Sequence, residues 1–251
     1  MYRKLLLVGV LVVLLGSAEP LLAFAPDGSP GLPPVDPMRN TISPDYVFTE
    51  EILRHIAEKD ARAQSAYNKA LAQQELKGFI GKTLSVGTWL EPNDYAHRNY
   101  CGPGATQVAL DARLPAFEIP DIDTIGEEED IDPASGVWLS DVRNVLNTRL
   151  STSFYEVAYV GSQSTLNSRL MYDIDTDFAM VTGCNTADMP GWGGYAVDHI
   201  VPVYGYLITG TGVGYYTETS GSVAGYTGSY RQSLGMDLLY QAVSANPWHV
   251  W

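Results

Sequence analysis

The run Cys101-Gly102-Pro103-Gly104-Ala105-Thr106-Gln107-Val108-Ala109-Leu110 constrains the fold more than any other stretch of the chain. Pro103 has a fixed φ and no N–H to lose, so it suits the first turn of a helix. Ala105, Val108, Ala109 and Ala112 then fall at i, i+3, i+4 and i+7, one apolar stripe of small side chains. Small side chains let a sheet come close to the helix axis. The pattern predicts a buried helix with a cysteine at its start. Unpaired N–H groups and the helix dipole at that end favour negative charge, so a thiol placed there is a candidate nucleophile.

A second segment, Gly193 to Tyr206, reads as a glycine-rich loop feeding a strand, with His199 at the strand's start. Cysteine on a helix followed by histidine on a strand 98 residues later is the layout of a papain-like thiol hydrolase. With "YCGPGATQVAL" and "HIVPVYGY" the chain resembles the C39-like peptidases, cysteine peptidase family thirty-nine and its secreted relatives. Their motifs run roughly "YCGPAA" and "HxVVVxGY", with an acidic residue or Asn on the next strand. The resemblance covers about Leu84 to Trp251. It implies Cys101 as nucleophile and His199 as the base that takes the thiol proton and returns it to the leaving amine. By position on the following strand, Glu218 is the residue expected to orient the imidazole. Asp198 is the poorer choice, because neighbours on a strand point to opposite faces. Asn246 is a distant alternative. Papain-like enzymes commonly place a Gln six residues before the cysteine, where this chain has Tyr95. The nearby amides, Asn93 and Asn99, are the oxyanion-hole candidates. Trp138, Trp192 and Tyr195 are expected to line the substrate cleft.

The net charge of −14 argues against nucleic acid, since phosphate binding needs clustered Lys and Arg. At the N-terminus Arg3 and Lys4 precede an apolar run from Leu5 to Leu15, and Ala23-Phe24-Ala25 offers a cleavage site. The run is short for a membrane span, so residues 1–25 read as a secretory signal and the mature protein as secreted, without a transmembrane domain. Exported chains usually pair their cysteines. Here Cys101 and Cys184 are expected as free thiols, because a structural cysteine has no need of the Gly-Pro helix start; a disulfide between them is the alternative.

Residues 26–46 hold six prolines and read as an extended linker. Thr49 to Lys77 reads as a helix capped by Thr49, docked on the domain or standing off it. Residues 26–80 are therefore taken as a linker plus helix, with a pro-segment role in view, and 81–251 as the peptidase domain. Residues 118–132 carry eight carboxylates. Asp121-x-Asp123-x-x-Gly126 partly imitates a calcium loop, but Ile125 stands at position five and Asp132 at position twelve. A solvated acidic loop is the expectation. Strands are predicted over 84–90, 153–160, 178–183, 199–208 and 212–220, and helices over 137–150, 164–171 and 234–243, followed by an aromatic tail. Pro202 inside the histidine strand predicts a bulge or an edge.

Helices packed on one antiparallel sheet make the predicted fold α+β, of papain-like type. The expected function is a secreted cysteine peptidase or amidase acting on a peptide or protein substrate through a thioester, with no metal or organic cofactor. The alternative is a catalytically inactive papain-like domain that binds an extracellular partner.

Overall fold

Thr49 starts the first helix. Its side chain accepts a hydrogen bond from the N–H of Ile52, Glu50 and Glu51 sit in the first turn, and Gly78 in the left-handed region (φ 84°) closes it. This helix is α1 (Glu50–Lys77). The computed structural model describes residues 39–209 and 212–251. After α1 come β1 (Ile80–Thr83), α2 (Cys101–Asp111), α3 (Ile122–Glu128), α4 (Leu139–Arg149), β2 (Val157–Tyr159) and α5 (Gln163–Asp175). Then follow β3 (Met180–Asn185), β4 (Asp198–Ile208), β5 (Val213–Thr217), β6 (Arg231–Gly235), α6 (Met236–Ala245) and β7 (Trp248–Val250). The described residues lie in one compact unit. The targeting segment read at 1–25 and the linker as far as residue 38 lie outside them.

The strands form one antiparallel sheet in the order β2-β7-β3-β4-β5-β6. On one side of β4, β3 pairs with its first half and β1 with its second half. The class is α+β.

Helix α2 lies against β4 at the centre of the core, and its small residues are what let it in. A Cβ at Gly104 would come within 2.8 Å of Thr219 Oγ1, and one at Gly102 would collide with Val137 Cγ2. Helix α1 docks along α5. Asp60 takes both Arg169 Nε and Nη2 (2.7 and 2.8 Å), and the buried Lys59 ammonium lies 3.4 Å from Asp173. Lys59 also donates to the Phe154 carbonyl at 3.0 Å and sits over the Phe154 and Trp251 rings. The boundary read between residues 80 and 81 falls just inside β1, after its first residue.

Several elements differ from the sequence expectation. The acidic loop is in its centre a helix, α3. Asp121 caps it, accepting from the Thr124 N–H at 2.8 Å, so one of the apparent calcium ligands is an N-cap. No strand runs over 84–90. The strand precedes it as β1, and Leu84 adds one last bond to the Tyr204 carbonyl at 2.8 Å. The aromatic tail is a sheet strand, β7, between β2 and β3, and ends on the fully buried Trp251. Strand β6 lies outside every segment whose pattern marks a strand. Pro202 does not make β4 an edge: it faces Val181 of β3, and β5 pairs with β4 only from Val203 on, so at Pro202 one side has no ladder to complete. A register shift follows between Val203 and Gly205.

Candidate active site

The start of α2, the start of β4 and the end of β5 converge. Tyr100 precedes the helix without a side-chain cap, so the first-turn N–H groups beside Cys101 have no partner within the helix. His199 is the second residue of β4, paired with Cys184 of β3. The β4–β5 hairpin brings the chain back past Thr217, and the Glu218 N–H is tied to the Tyr230 carbonyl at 2.8 Å.

Glu218 lies against His199, with Oε1 2.8 Å from Nε2. The same oxygen accepts from the Ser220 N–H at 3.2 Å, and Oε2 accepts from Trp192 Nε1 at 3.1 Å. Both carboxylate oxygens are therefore engaged. The Trp192 ring stands edge-on to the imidazole, centroids 4.9 Å apart, and closes the histidine–carboxylate pair from one side. The Cys101 sulfur lies close enough to His199 to act on its charge. With Nε2 committed to Glu218, Nδ1 is the nitrogen left for the thiol. Burial alone pushes the imidazole pKa down, but the charge of Glu218, which is bonded to the ring, and the Cys101 sulfur together raise it well above the usual value. The site is closed to solvent: Cys101 is 4% exposed, His199 3% and Glu218 0%.

The cover over the thiol is Asn40, itself 2% exposed. Its Oδ1 lies 3.9 Å from Cys101 Sγ, and its Nδ2 donates to the Asp198 carbonyl at 2.7 Å. The Asn40 carbonyl accepts from Asn246 Nδ2 at 2.7 Å, and the Thr41 carbonyl accepts from the Leu139 N–H at 2.7 Å. Arg39 stacks over Trp138 at 5.6 Å. Residues 39–41 thus cross the groove between α2 and β4.

The other expected residues lie as follows. Asn93 is tied to the 221–223 turn, bonding Ser222 Oγ at 3.1 Å and accepting from the Val223 N–H at 3.0 Å. Asn99 is buried and donates to the Pro133 carbonyl at 2.7 Å. Neither amide is bonded at the thiol. Tyr95, in the place of the familiar Gln, is 53% exposed, with Arg98 over its ring. Trp138 borders the groove under Arg39, Trp192 is buried behind the pair, and Tyr195 is exposed beside Gly225. Asp198 offers its carbonyl to Asn40 while its carboxylate faces Asn185 at 3.5 Å. The three other histidines are engaged elsewhere: His55 with Glu156, His97 with Asp94 and Asp123, His249 with Arg169.

Cys184 is free, as is Cys101. It is wholly buried, its Sγ lies 3.7 Å from the His199 carbonyl, and burial raises its pKa well above the ordinary thiol value. Among the described residues no group of three or more His, Cys, Asp or Glu is arranged to hold a metal ion.

Two residues of the site had no signal in the sequence reading. Asn40 stood in a proline-rich stretch read as linker. Glu91 stood in an unpatterned loop, yet its side chain is buried beside Glu218 and His199. The chain matches no family model, and no curated protein matches it.

Proposed function

We propose that the chain is a secreted, papain-like cysteine peptidase or amidase of the C39-like kind. The observation that carries this reading is the Cys101–His199–Glu218 line, a thiol at a helix start next to an imidazole whose far nitrogen is held 2.8 Å from a buried carboxylate. In that arrangement the thiol proton passes to His199 and the thiolate adds to a substrate carbonyl carbon. The N–H groups at the start of α2 receive the resulting oxyanion. The tetrahedral adduct expels the amine, which takes the proton from His199, and a thioester remains on Cys101. His199 then takes a proton from water, the hydroxide adds to the thioester, and thiol and free acid separate. Glu218 keeps the imidazole in the required tautomer and balances its charge.

One observation favours the other reading, an inactive binding domain: the thiol is buried under Asn40, and neither expected oxyanion donor, Asn93 or Asn99, is bonded at it. Loss of one such donor costs ~10²–10³ in rate. The discriminating experiment treats the protein with iodoacetamide between pH 5 and 9 and maps the modified cysteine by mass spectrometry. It is run beside turnover of a peptide library by wild type and Cys101→Ala. Modification of Cys101 below pH 7, with cleavage lost in Cys101→Ala, supports the peptidase. An inert Cys101 and no cleavage support the binding domain.

A further inference from the structure

Glu91 has no part in the chemistry above, yet it is built into the same cluster. It lies in the loop before α2, 5% exposed. Its backbone N–H donates to the Thr219 carbonyl at 2.9 Å. Its Oε1 accepts from Thr219 Oγ1 at 2.7 Å and from Ser220 Oγ at 2.8 Å. Its Oε2 is buried without a hydrogen-bond partner. Three bonds thus fasten Glu91 to the two residues that follow Glu218. One of those, Ser220, gives its N–H to the Glu218 oxygen that also holds His199. Thr219 in turn rests on Gly104 of α2, where no Cβ would fit.

We infer that Glu91 is a positioning residue of the site: it locks the Thr219–Ser220 turn that keeps Glu218 on His199, and its carboxylate is a second negative charge behind the imidazolium. This inference rests on the peptidase reading, because a positioned imidazolium has a use only if His199 handles a proton.

One feature of the geometry has no use in a purely structural role. A fastening role is met by Oε1 alone, yet an ionisable group is spent where its second oxygen finds no donor. The strongest charge acting on Glu91 is His199, which favours its ionised form against burial and against the neighbouring Glu218. Burial, the largest influence, sets the Glu91 pKa at about 7, so its charge changes in the range where a cysteine–histidine pair works. The titratable groups around it are His199 at the start of β4, Glu218 after β5 and the phenols of Tyr226 and Tyr230, with Cys101 acting on His199 and Cys184 and Tyr216 next to Glu218.

The test follows the protonation of His199 itself, so it does not require a known substrate. Wild type and Glu91→Gln, labelled with ¹⁵N at histidine, are titrated by NMR from pH 5 to 10, with melting curves taken in parallel. Gln keeps the shape and an oxygen for Thr219 and Ser220 but removes the charge. The expected result is a folded variant in which His199 loses its proton about one pH unit lower than in wild type, the size of effect that a neighbouring charge produces. An unchanged His199 titration in a folded variant overturns the inference. If Glu91→Gln does not fold, Thr219→Val, the same shape without the hydroxyl, reads the same clamp. It should move the His199 titration in the same direction by less, and an unmoved titration again overturns the inference. The iodoacetamide profile of Cys101 separates the two levels. A His199 shift with an inert Cys101 removes the peptidase reading while the Glu91–His199 coupling stands; a reactive Cys101 with no shift does the opposite.

Discussion

Asn40 lies over the Cys101 thiol, its Oδ1 3.9 Å from Sγ and its Nδ2 bonded to the carbonyl of Asp198, the residue just before His199. An amide group therefore stands beside the thiol and donates to the backbone at the head of the histidine strand. On the peptidase reading, Asn40 has to move before a substrate carbonyl reaches Sγ. One buried hydrogen bond is worth about 1 kcal/mol, about a factor of five in an opening equilibrium. Asn40→Ala should therefore raise the rate of Cys101 alkylation by about fivefold. Equal alkylation rates in Asn40→Ala and wild type would show that Asn40 does not govern access.

Glu218 receives donors on both oxygens, from His199 and Ser220 on Oε1 and from Trp192 on Oε2. Gln at this position must turn its NH₂ toward one of those donors, which leaves a buried N–H facing another and disfavours the working tautomer of His199. Glu218→Gln is expected to fold and to lose about 10²–10⁴ in turnover, as removal of an orienting carboxylate does elsewhere. The Asp198 carboxylate faces Asn185, away from the imidazole, so Asp198→Asn should retain activity within a few fold. Turnover of both variants on any substrate the wild type cleaves decides the assignment; a crippled Asp198→Asn beside an active Glu218→Gln would reverse it.

The legible parts of this molecule are those with a local pattern. Helix α2 follows from Pro103 and four small apolar positions, β4 from a run rich in Val, Ile and Tyr, and the meeting of His199 with Glu218 from a single hairpin. Asn40 and Glu91 are joined to the site by contacts that span 61 residues to Cys101 and 128 to Thr219. A single polar contact at such range leaves no periodicity behind. Strand β7 is three residues long, too short for an alternation to register, and exists because β2 and β3 flank it. In α3 the charged residues hid a helix whose buried side is only Ile122, Ile125 and Gly126.

Helix α1 is fastened to α5 through charges that would be stranded without it. Removing residues up to Lys77 leaves Asp173, wholly buried, without Lys59, leaves Arg169 without Asp60, and opens the α5 face. Loss of one partner of a buried pair costs about 3–5 kcal/mol, a large part of the roughly 5–15 kcal/mol that holds a domain together. A chain beginning at Gly78 should therefore fail to give a cooperative thermal transition. Lys59→Met alone should destabilise, and Lys59→Met with Asp173→Asn should recover part of the loss. A truncated chain that melts sharply near the wild-type temperature would make α1 a dispensable appendage.

Three buried carboxyls give the fold a pH dependence of known sign. Burial raises Glu91 to about 7, Glu129 to about 8 and Asp173 to about 7. Glu129 is bonded to Thr106 of α2 by one oxygen, while the other has no partner. Each of these groups holds its proton in the folded state at a pH where the unfolded chain has released it. The folded state therefore binds more protons, and stability falls as pH rises from the ordinary carboxylate range to the raised pKa values. His199, also raised, acts in the same direction. His249 is lowered from 6.5 by burial and opposes the trend at more acid pH, while Lys59, lowered to about 8, acts mainly above that value. The window from about pH 5 to 8 is thus where the carboxyls dominate, all three of them up to about 7 and Glu129 up to about 8. The melting temperature should fall across it. Glu129→Gln keeps an oxygen for Thr106 and has no proton to lose, so its melting temperature should match wild type near pH 5. At pH 8 it should exceed wild type by several degrees, the equivalent of on the order of a few kcal/mol. Calorimetry of the two proteins at pH 5, 6.5 and 8 is the measurement. A wild-type melting temperature that rises toward pH 8, or a Glu129→Gln curve as steep as wild type, would mean that these carboxyls do not hold their protons in the fold.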